Sequence, residues 1–227
     1  MTPLLEISVE TLAAAIAAER GGANRIELCE DLSIGGITPC DDLMRKTRAA
    51  VKIPIFAMIR PRGGSFTYSD SELSQMRRDI EVAKSCKMDG IVLGILQNDN
   101  SVDVQQTRAL IKIASPLPVT FHRAFDETHY LPEALESVIE TGATRILTSG
   151  GKRTAQLGAA ALADLVAAAA DRITIIPGGG INASNFAELI RVTRAREFHS
   201  GLGTTLPYGQ SSEAAFSFAV QELVTLL

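Results

Sequence analysis

Short apolar runs recur along the chain and alternate with stretches of helical composition. The run at residues 118–122 is the most informative, because its apolar pattern stops abruptly at His122, Arg123 and Asp126. Strands buried on both faces of a parallel sheet have near-continuous apolar sequences, so this polar ending predicts the carboxyl end of a strand. The same reasoning predicts strands at residues 4–9, 25–29, 54–60, 90–96, 118–122, 145–148, 173–177 and 197–199.

Helical segments lie between these strands. Residues 9–20 have Leu12 and Ile16 at helical spacing, residues 70–84 begin with an acidic first turn, and residues 132–141 begin with proline. An alternation of strand and helix, repeated about eight times, is typical of an α/β fold and predicts a (β/α)8 TIM-type barrel. Because no low-complexity linker divides the chain, a single barrel domain over residues 1–227 is expected.

Two strand starts share a Gly-Ala-x-Arg-Ile frame, at residues 22–26 and 142–146. Counted along the predicted strands, the two frames lie half a barrel apart, which favours a half-barrel repeat. The alternative is local, since glycine commonly ends a helix while arginine and isoleucine suit the start of a strand.

Side-chain alternation along each strand separates the inner face of the barrel from the outer face. If Leu5 and Ile7 face the helices, Glu6 faces the interior, and the same rule places polar groups from other strands there. Branched aliphatic side chains normally fill such an interior. We therefore predict a functional pocket, with a self-contained salt-bridge network as the alternative. The predicted interior groups are Glu6, Glu27, Arg60, His122, Glu197 and His199.

The composition argues against several classes of protein. A net charge of −4 and the lack of a Lys/Arg run argue against nucleic acid or an anionic membrane as the main partner. The longest apolar tract, residues 157–170, is short and contains Asp164, so it is not expected to span a bilayer. The first residues lack the basic region of a signal peptide, and the 3 cysteines have no CxxC spacing, so a cytoplasmic location is expected.

Several short motifs follow one another in a specific order. They are Arg-Ile-Glu-Leu-Cys at 25–29, Gly-Gly-Ile-Thr-Pro at 35–39, Met-Ile-Arg-Pro-Arg-Gly-Gly at 58–64, Thr-Phe-His-Arg-Ala-Phe-Asp at 120–126, Leu-Thr-Ser-Gly-Gly at 147–151 and His-Ser at 199–200. Together, over essentially the whole chain, they resemble the CutC family, named for copper homeostasis. The resemblance implies a TIM-type barrel, a cytoplasmic location, oligomerisation, copper binding and copper tolerance. The chain departs from the family pattern at Ser65, where aspartate is frequent, at Cys40, where serine is common, and in a shorter segment after Ser200.

Soft metal ligands are few in this sequence. Cu(I) prefers thiolate and thioether ligands and accepts imidazole, so Cys29 is the first candidate metal ligand. Cys40 lies in the same strand-to-helix connection and is the second, while Met58, His122 and His199 could also approach the barrel mouth. The alternative for Cys29 is a small buried hydrophobic residue, because the chain lacks the close Cys/His spacing of a dedicated metal carrier.

A second group of residues fits acid–base chemistry. A carboxylate and an imidazole in one pocket can move a proton next to a carbonyl group, and arginine can bind a carboxylate or phosphate with two hydrogen bonds. The alternatives are an ion pair between Glu27 and Arg60, a satisfied core histidine at His122, and a role for Asp126 in capping a helix or orienting His122. The candidate catalytic residues are Glu6, Glu27, Arg60, His122, Asp126 and His199.

Glycine-rich sequences follow the sixth and seventh predicted strands. Loops after the last strands of TIM barrels frequently bind phosphate, and uncovered backbone N–H groups suit an anion. Glycine is also common in turns for steric reasons alone, so both interpretations stay open. The candidate anion-binding residues are Arg62, Gly150, Gly151, Gly179 and Gly180.

Two functions follow from these observations. The resemblance favours a cytoplasmic copper-binding protein of the CutC copper homeostasis family, with Cu(I) as the candidate metal in a pocket at the C-terminal mouth of the barrel. The ionisable residues favour an enzyme of isomerase or lyase type that transfers a proton on a small carbonyl, sugar or phosphorylated substrate. Alanine-rich helix faces at residues 159–170 and 214–220 also predict a homo-oligomer, a dimer or tetramer, which sedimentation showing only a monomer would contradict.

Overall fold

Parallel strands form the centre of the computed structural model, and a helix follows each strand. The structure describes residues 3–202 and 210–227, except for the side chains of 210–212. The strands are β1 (Leu4–Val9), β2 (Arg25–Leu28), β3 (Ile55–Met58), β4 (Gly90–Leu93), β5 (Val119–Phe121), β6 (Arg145–Thr148), β7 (Thr174–Pro177) and β8 (Glu197–Ser200). The α-helices are α1 (Leu12–Arg20), α2 (Asp41–Ala50), α3 (Asp70–Ser85), α4 (Val104–Ala114), α5 (Leu131–Thr141), α6 (Ala159–Ala169), α7 (Phe186–Thr193) and α8 (Gln210–Val224).

Hydrogen bonding connects the strands in the order β7-β6-β5-β4-β3-β2-β1-β8, and the neighbouring strands are parallel. β1 therefore pairs with both β2 and β8, while β7 and β8 are in contact at the seam of a nearly closed barrel. The predicted (β/α)8 TIM-type barrel is confirmed. Short 3-10 helices, Leu32–Ile34 and Arg123–Glu127, follow β2 and β5 at the carboxyl ends of the strands.

Local hydrogen bonds explain where the elements begin and end. The Thr11 hydroxyl accepts from the backbone N–H of Ala14 at 3.1 Å, so α1 begins at Leu12 and not at residue 9. β3 ends before Arg60, because the Arg60 N–H donates to the Thr38 hydroxyl at 2.9 Å instead of to a neighbouring strand. Among the described helices, none combines the length and the apolar character that crossing a bilayer requires.

The buried apolar residues form two separate clusters, and neighbouring residues on a strand fall into different clusters, as side-chain alternation predicts. The large cluster lies between the barrel and the helices and includes Leu5 and Ile7. The small cluster contains Cys29, Phe56, Met58 and Val92. Since these residues have the inward parity on their strands, the small cluster lies inside the barrel. Gly90 makes room for it, because a Cβ at Gly90 would lie 2.5 Å from the Phe56 ring.

Candidate functional site

A buried ionic network fills the barrel beneath the mouth. Arg25 donates through Nε to Glu6 and through Nη2 to Glu197 at 2.6 Å, and Arg145 donates to the same Glu197 oxygen at 3.1 Å. Both guanidinium groups lie over the Phe56 ring, 4.8 and 5.1 Å from its centroid. The charges in this network are paired and hydrogen-bonded, as charges in a low-dielectric interior must be.

Strand register determines these contacts. Glu6 lies opposite Arg25 on β2 and opposite His199 on β8, so one of its carboxylate oxygens meets the guanidinium and the other meets the imidazole. Burial opposes ionisation of Glu6, but Arg25 and His199 outweigh it and lower the pKa of Glu6 to about 2. Glu6 is therefore a carboxylate at neutral pH.

His199 connects this network to the mouth of the barrel. Its Nδ1 lies 2.7 Å from Glu6 Oε1, and because Glu6 is ionised, we assign the Nδ1 proton to that hydrogen bond. Its Nε2 lies 3.8 Å from Glu27 Oε2. Burial acts to lower the pKa of His199, but Glu27 and Glu6 outweigh burial and raise it above its ordinary value.

Glu27 is the least satisfied carboxyl group of the site. It is buried, and its Oε1 has no hydrogen-bond partner among the described residues. Burial, opposed by His199 and supported by Glu6, raises the pKa of Glu27 to about 7. At 3.8 Å the two groups do not hydrogen-bond directly, but the charge of each changes the pKa of the other, so their titrations are coupled.

His122 presents a neutral N–H group to the same space. Its Nδ1 accepts from the backbone N–H of Ala124 at 3.2 Å, which assigns the ring proton to Nε2, and Nε2 has no acceptor among the described residues. Burial and then the nearby Arg60 lower the pKa of His122 to about 3. Gly94 is required beneath the ring, because a Cβ there would lie 2.5 Å from Nδ1.

Arg60 shapes the loops around the mouth. It donates to the carbonyl oxygens of Ile34, Gly36 and Gly64, each at 3.0 Å, and its guanidinium lies 4.8 Å from the centroid of Phe66. No carboxylate lies within ion-pairing distance of Arg60 in the described part of the chain, so it does not neutralise Glu27.

Arg62 lies outside the pocket. It binds Glu72 at 2.6 Å and donates to the carbonyl oxygens of Ser65 and Thr67 at 2.8 and 2.7 Å. These contacts hold the β3 loop to α3. The role predicted for Arg62 in anion binding stays a prediction, and its donors are already engaged within the loop.

Asp126 binds the loop that follows β6. One carboxylate oxygen accepts from the Thr148 hydroxyl at 2.5 Å and the Gly151 N–H at 2.9 Å, and the other accepts from the Ser149 N–H at 3.0 Å. The Gly150 N–H donates to the Thr148 hydroxyl at 2.9 Å. An internal carboxylate thus occupies donors that the sequence suggested for an external anion.

The cysteines are not brought together in a cluster. Cys29 is fully buried, and burial followed by the nearby carboxylates of Glu27, Glu10 and Glu30 raises the pKa of its thiol. Cys40 is exposed at the amino-terminal end of α2. Among the described residues, Glu6, Glu27 and His199 lie close enough together to hold a metal ion. Neither Cys29 nor Cys40 belongs to this group.

A cavity of about 290 Å³ connects these groups at the carboxyl ends of the strands. Larger grooves lie elsewhere on the surface, but no buried carboxyl or imidazole group lines them. We therefore take the smaller cavity as the functional pocket. Its polar lining comprises Ser8, Glu27, Arg60, His122, Arg123, Asp126, Glu127 and His199.

The candidate set missed Arg25, Arg145 and Arg123. Arg25 has the same parity as Glu27 on β2, and Arg145 occupies the corresponding place in the repeated Gly-Ala-x-Arg-Ile frame, so both had a detectable signal. Arg123 precedes Asp126 by three residues and binds it at 2.8 Å, which only the 3-10 turn after β5 makes evident.

Comparisons with known proteins agree with this architecture. The CutC family model matches residues 3–204. A copper homeostasis protein cutC homolog from Homo sapiens is 44% identical over 206 residues, which cover 91% of this chain and 76% of the relative. A family protein CutC from Chromobacterium violaceum is 46% identical over 200 residues, covering 88% and 81%.

Solved structures give the same result. The crystal structure of a CutC protein from Streptococcus agalactiae is 32% identical, with a TM-score of 0.84, and the match covers 88% of this chain and 98% of that one. A Rubisco-like protein from Rhodopseudomonas palustris is 18% identical, with a TM-score of 0.67, and the match covers 100% of this chain and 64% of that one. At this identity, the similarity indicates a shared fold only. The family model, the relatives and the shared barrel establish that this chain belongs to the CutC family.

Proposed function

We propose that the pocket is the active site of an enzyme that transfers a proton on a small carbonyl compound. The observation that supports this most directly is Glu27 Oε1, a buried carboxyl oxygen without a partner that belongs to a group with a pKa of about 7. A general base works best when its pKa is close to the working pH. Since an unsatisfied buried carboxyl destabilises a fold, its presence at a pocket favours a functional role.

The roles of the pocket residues follow from their protonation. Glu27, as a carboxylate, removes a proton from the carbon next to the carbonyl group, and the C–H electron pair moves into the enediolate. The neutral Nε2–H of His122 donates to the oxygen on which negative charge develops, and the positive charge of Arg60 favours that charge. His199, 3.8 Å from Glu27, favours the carboxylate form of Glu27 when it is protonated, and Glu6 holds the His199 ring in place through Nδ1. The hydroxyl proton then moves from the second enediolate oxygen to the first, and the proton on Glu27 is returned to the carbon of the original carbonyl group, which gives the isomeric carbonyl compound.

Proton exchange tests this proposal without knowledge of the natural substrate. We expect the protein to replace the α-protons of at least one member of a panel of small hydroxyaldehydes, hydroxyketones and their phosphate esters with deuterium in D2O, as followed by NMR. The rate should rise with pH through about 7, the pKa of Glu27. Glu27→Gln should lower the rate by roughly 10²–10⁴-fold, the usual contribution of a general base.

Arg172→Gln is the matched control for this experiment, because Arg172 forms an exposed pair with Glu136 away from the mouth. It should exchange protons at the wild-type rate. An absence of exchange across the whole panel, or an unchanged rate in Glu27→Gln, would rule out Glu27 as the base.

A second candidate function is binding of copper, as Cu(I), by Cys29. One observation favours it: the Cys29 sulfur and the Met58 methyl group lie on the same side of Gly36, where a Cβ would be 3.2 and 3.6 Å from them. Thiolate and thioether are ligands that Cu(I) prefers. The raised pKa of the thiol opposes this function, because binding must displace the thiol proton. The family name supports copper homeostasis, and a cytoplasmic location and a homo-oligomer remain part of this proposal.

A chelator competition tests the copper site. If Cys29 is a ligand, Cys29→Ser should weaken Cu(I) binding to reduced protein at least tenfold, whereas Cys86→Ser, which alters a buried cysteine at the end of α3, should not. Wild-type affinity should rise about tenfold per pH unit below the thiol pKa, since one proton is released. Cys40→Ser should weaken Cu(I) binding if both thiolates are ligands and leave it unchanged if Cys29 is the single thiolate ligand. Equal affinities in wild type and Cys29→Ser would exclude Cys29.

A further inference from the structure

The backbone turns sharply at the end of β7, and two of its amide groups have no acceptor in the described part of the chain. Gly178 N–H donates to the Thr148 carbonyl at 2.9 Å. Gly179 and Gly180 then have φ angles of +101° and +73°, a region that L side chains rarely adopt. Their N–H groups have no acceptor among the described residues, and Gly180 is exposed at the mouth.

Arg123 faces this turn with part of its guanidinium unused. Its Nε donates to Asp126 at 2.8 Å and its Nη2 to the Ser149 hydroxyl at 2.8 Å, which hold the side chain in place. Its Nη1 has no acceptor in the described part of the chain. Nη1 lies beside Gly179, since a Cβ on Gly179 would be 3.4 Å from it. A fixed cationic donor therefore lies beside a turn that carries two backbone donors without an acceptor among the described residues.

The two glycine loops differ in what their donors already bind. After β6, Asp126 accepts from the N–H groups of Ser149 and Gly151, so that loop has an internal anion. No internal carboxylate takes the corresponding place after β7 among the described residues. Asp126 thus accepts hydrogen bonds from the N–H groups of the loop after β6 and holds the Arg123 side chain toward the loop after β7.

The turn after β7 also lies next to the proposed catalytic residues Glu27 and His199. A Cβ on Gly178 would lie 3.3 Å from the Cβ of His199, so this turn packs directly against β8 at His199. Arg123 itself lines the cavity that contains Glu27 and His122. A group bound at the turn would place the rest of its molecule over these side chains.

We propose that the Gly179 and Gly180 N–H groups and Arg123 Nη1 bind the phosphoryl group of a small phosphate monoester. Backbone N–H groups and a guanidinium match the charge and the several acceptor oxygens of this group. The role of the site in catalysis rests on the proposed proton transfer and narrows its substrate to a phosphorylated carbonyl compound. Binding itself is independent of Glu27.

Inorganic phosphate is the probe that tests the site. In a titration at constant ionic strength, followed by backbone NMR, the Gly179 and Gly180 amide resonances should shift saturably, while Gly151 should not. Acetate should produce a much weaker response. Arg123→Gln should weaken phosphate binding at least tenfold, whereas Arg172→Gln and Glu27→Gln should bind as wild type. Circular dichroism and thermal unfolding check that each variant folds.

The outcomes separate this site from the proposed activity. A lack of saturable shifts at Gly179 and Gly180 in the wild-type protein would overturn the phosphate site, as would shifts confined to the exposed Lys152 and Arg153. Unchanged affinity in folded Arg123→Gln would remove Arg123 from it. Phosphate binding without α-proton exchange would support the phosphate site and contradict the proposed enzymatic activity. Exchange confined to unphosphorylated compounds would support the activity and contradict a role of the phosphate site in it.

Discussion

Replacing Arg25 with methionine should lower the free energy of unfolding by about 3–5 kcal/mol, the usual effect of removing one partner from a buried ion pair. Arg25 contacts Glu6 and Glu197, and all three side chains are buried. The change leaves Glu6 with only His199 and Glu197 with only Arg145. Equilibrium unfolding in urea at pH 7 measures the loss, and a variant too unstable to purify folded would agree with it.

The matched control is Arg172→Met, which removes an arginine from an exposed pair with Glu136. Water and salt screen that pair, so its unfolding midpoint should stay close to that of the wild type. If Arg25→Met is as stable as Arg172→Met, the ionic network does not contribute to stability as the geometry indicates.

The wild-type protein should lose stability as the pH rises from 5 to 8, and Glu27→Gln should remove most of this loss. The folded-state pKa of Glu27, about 7, exceeds its ordinary value of 4.5, so the folded protein binds more protons than the unfolded chain in this window. Stability then falls as pH rises, by roughly 2–3 kcal/mol at about 1.4 kcal/mol per pKa unit.

His199 acts in the same direction. Because its folded-state pKa is raised, its contribution is complete below the ordinary value of 6.5 and is lost as pH rises through the folded-state pKa. Glu27 is the leading cause that raises this pKa, so Glu27→Gln reduces both contributions. Unfolding free energies at several pH values measure the slope.

Glu197→Gln is the matched control, since Glu197 is a buried carboxyl that two arginines already pair. It should be less stable than wild type at every pH and keep the wild-type slope. An equally steep slope in Glu27→Gln would show that Glu27 does not titrate near neutrality.

The inner face of the barrel was predictable because alternation along a strand is strictly geometric. Once Leu5 and Ile7 were placed against the helices, Glu6 had to point inward, and the same applied to Glu27 and His199. The partners of these groups were not predictable. Glu6 meets Arg25 and His199 because of the β1–β2 and β1–β8 registers, which depend on closure of the whole barrel.

The contacts of Asp126 show the same limit of local sequence. Its loop position was consistent with capping a helix or orienting His122. The structure instead joins it to Ser149, 23 positions later in the chain, across the β5–β6 boundary. Such a contact follows from the three-dimensional proximity of two loops, for which hydrophobic periodicity contains no signal.

Phe56 and the charged groups packed around it close the barrel at its amino-terminal side. The Arg25 and Arg145 guanidinium groups both lie over the ring, and Glu6 and Glu197 pair with them. In the described part of the chain, this network lies on the inner side of the cavity, which is lined by residues at the carboxyl ends of the strands. A molecule bound in the cavity would enter and leave at the carboxyl ends of the strands, so a second molecule would occupy the same space only after the first had left.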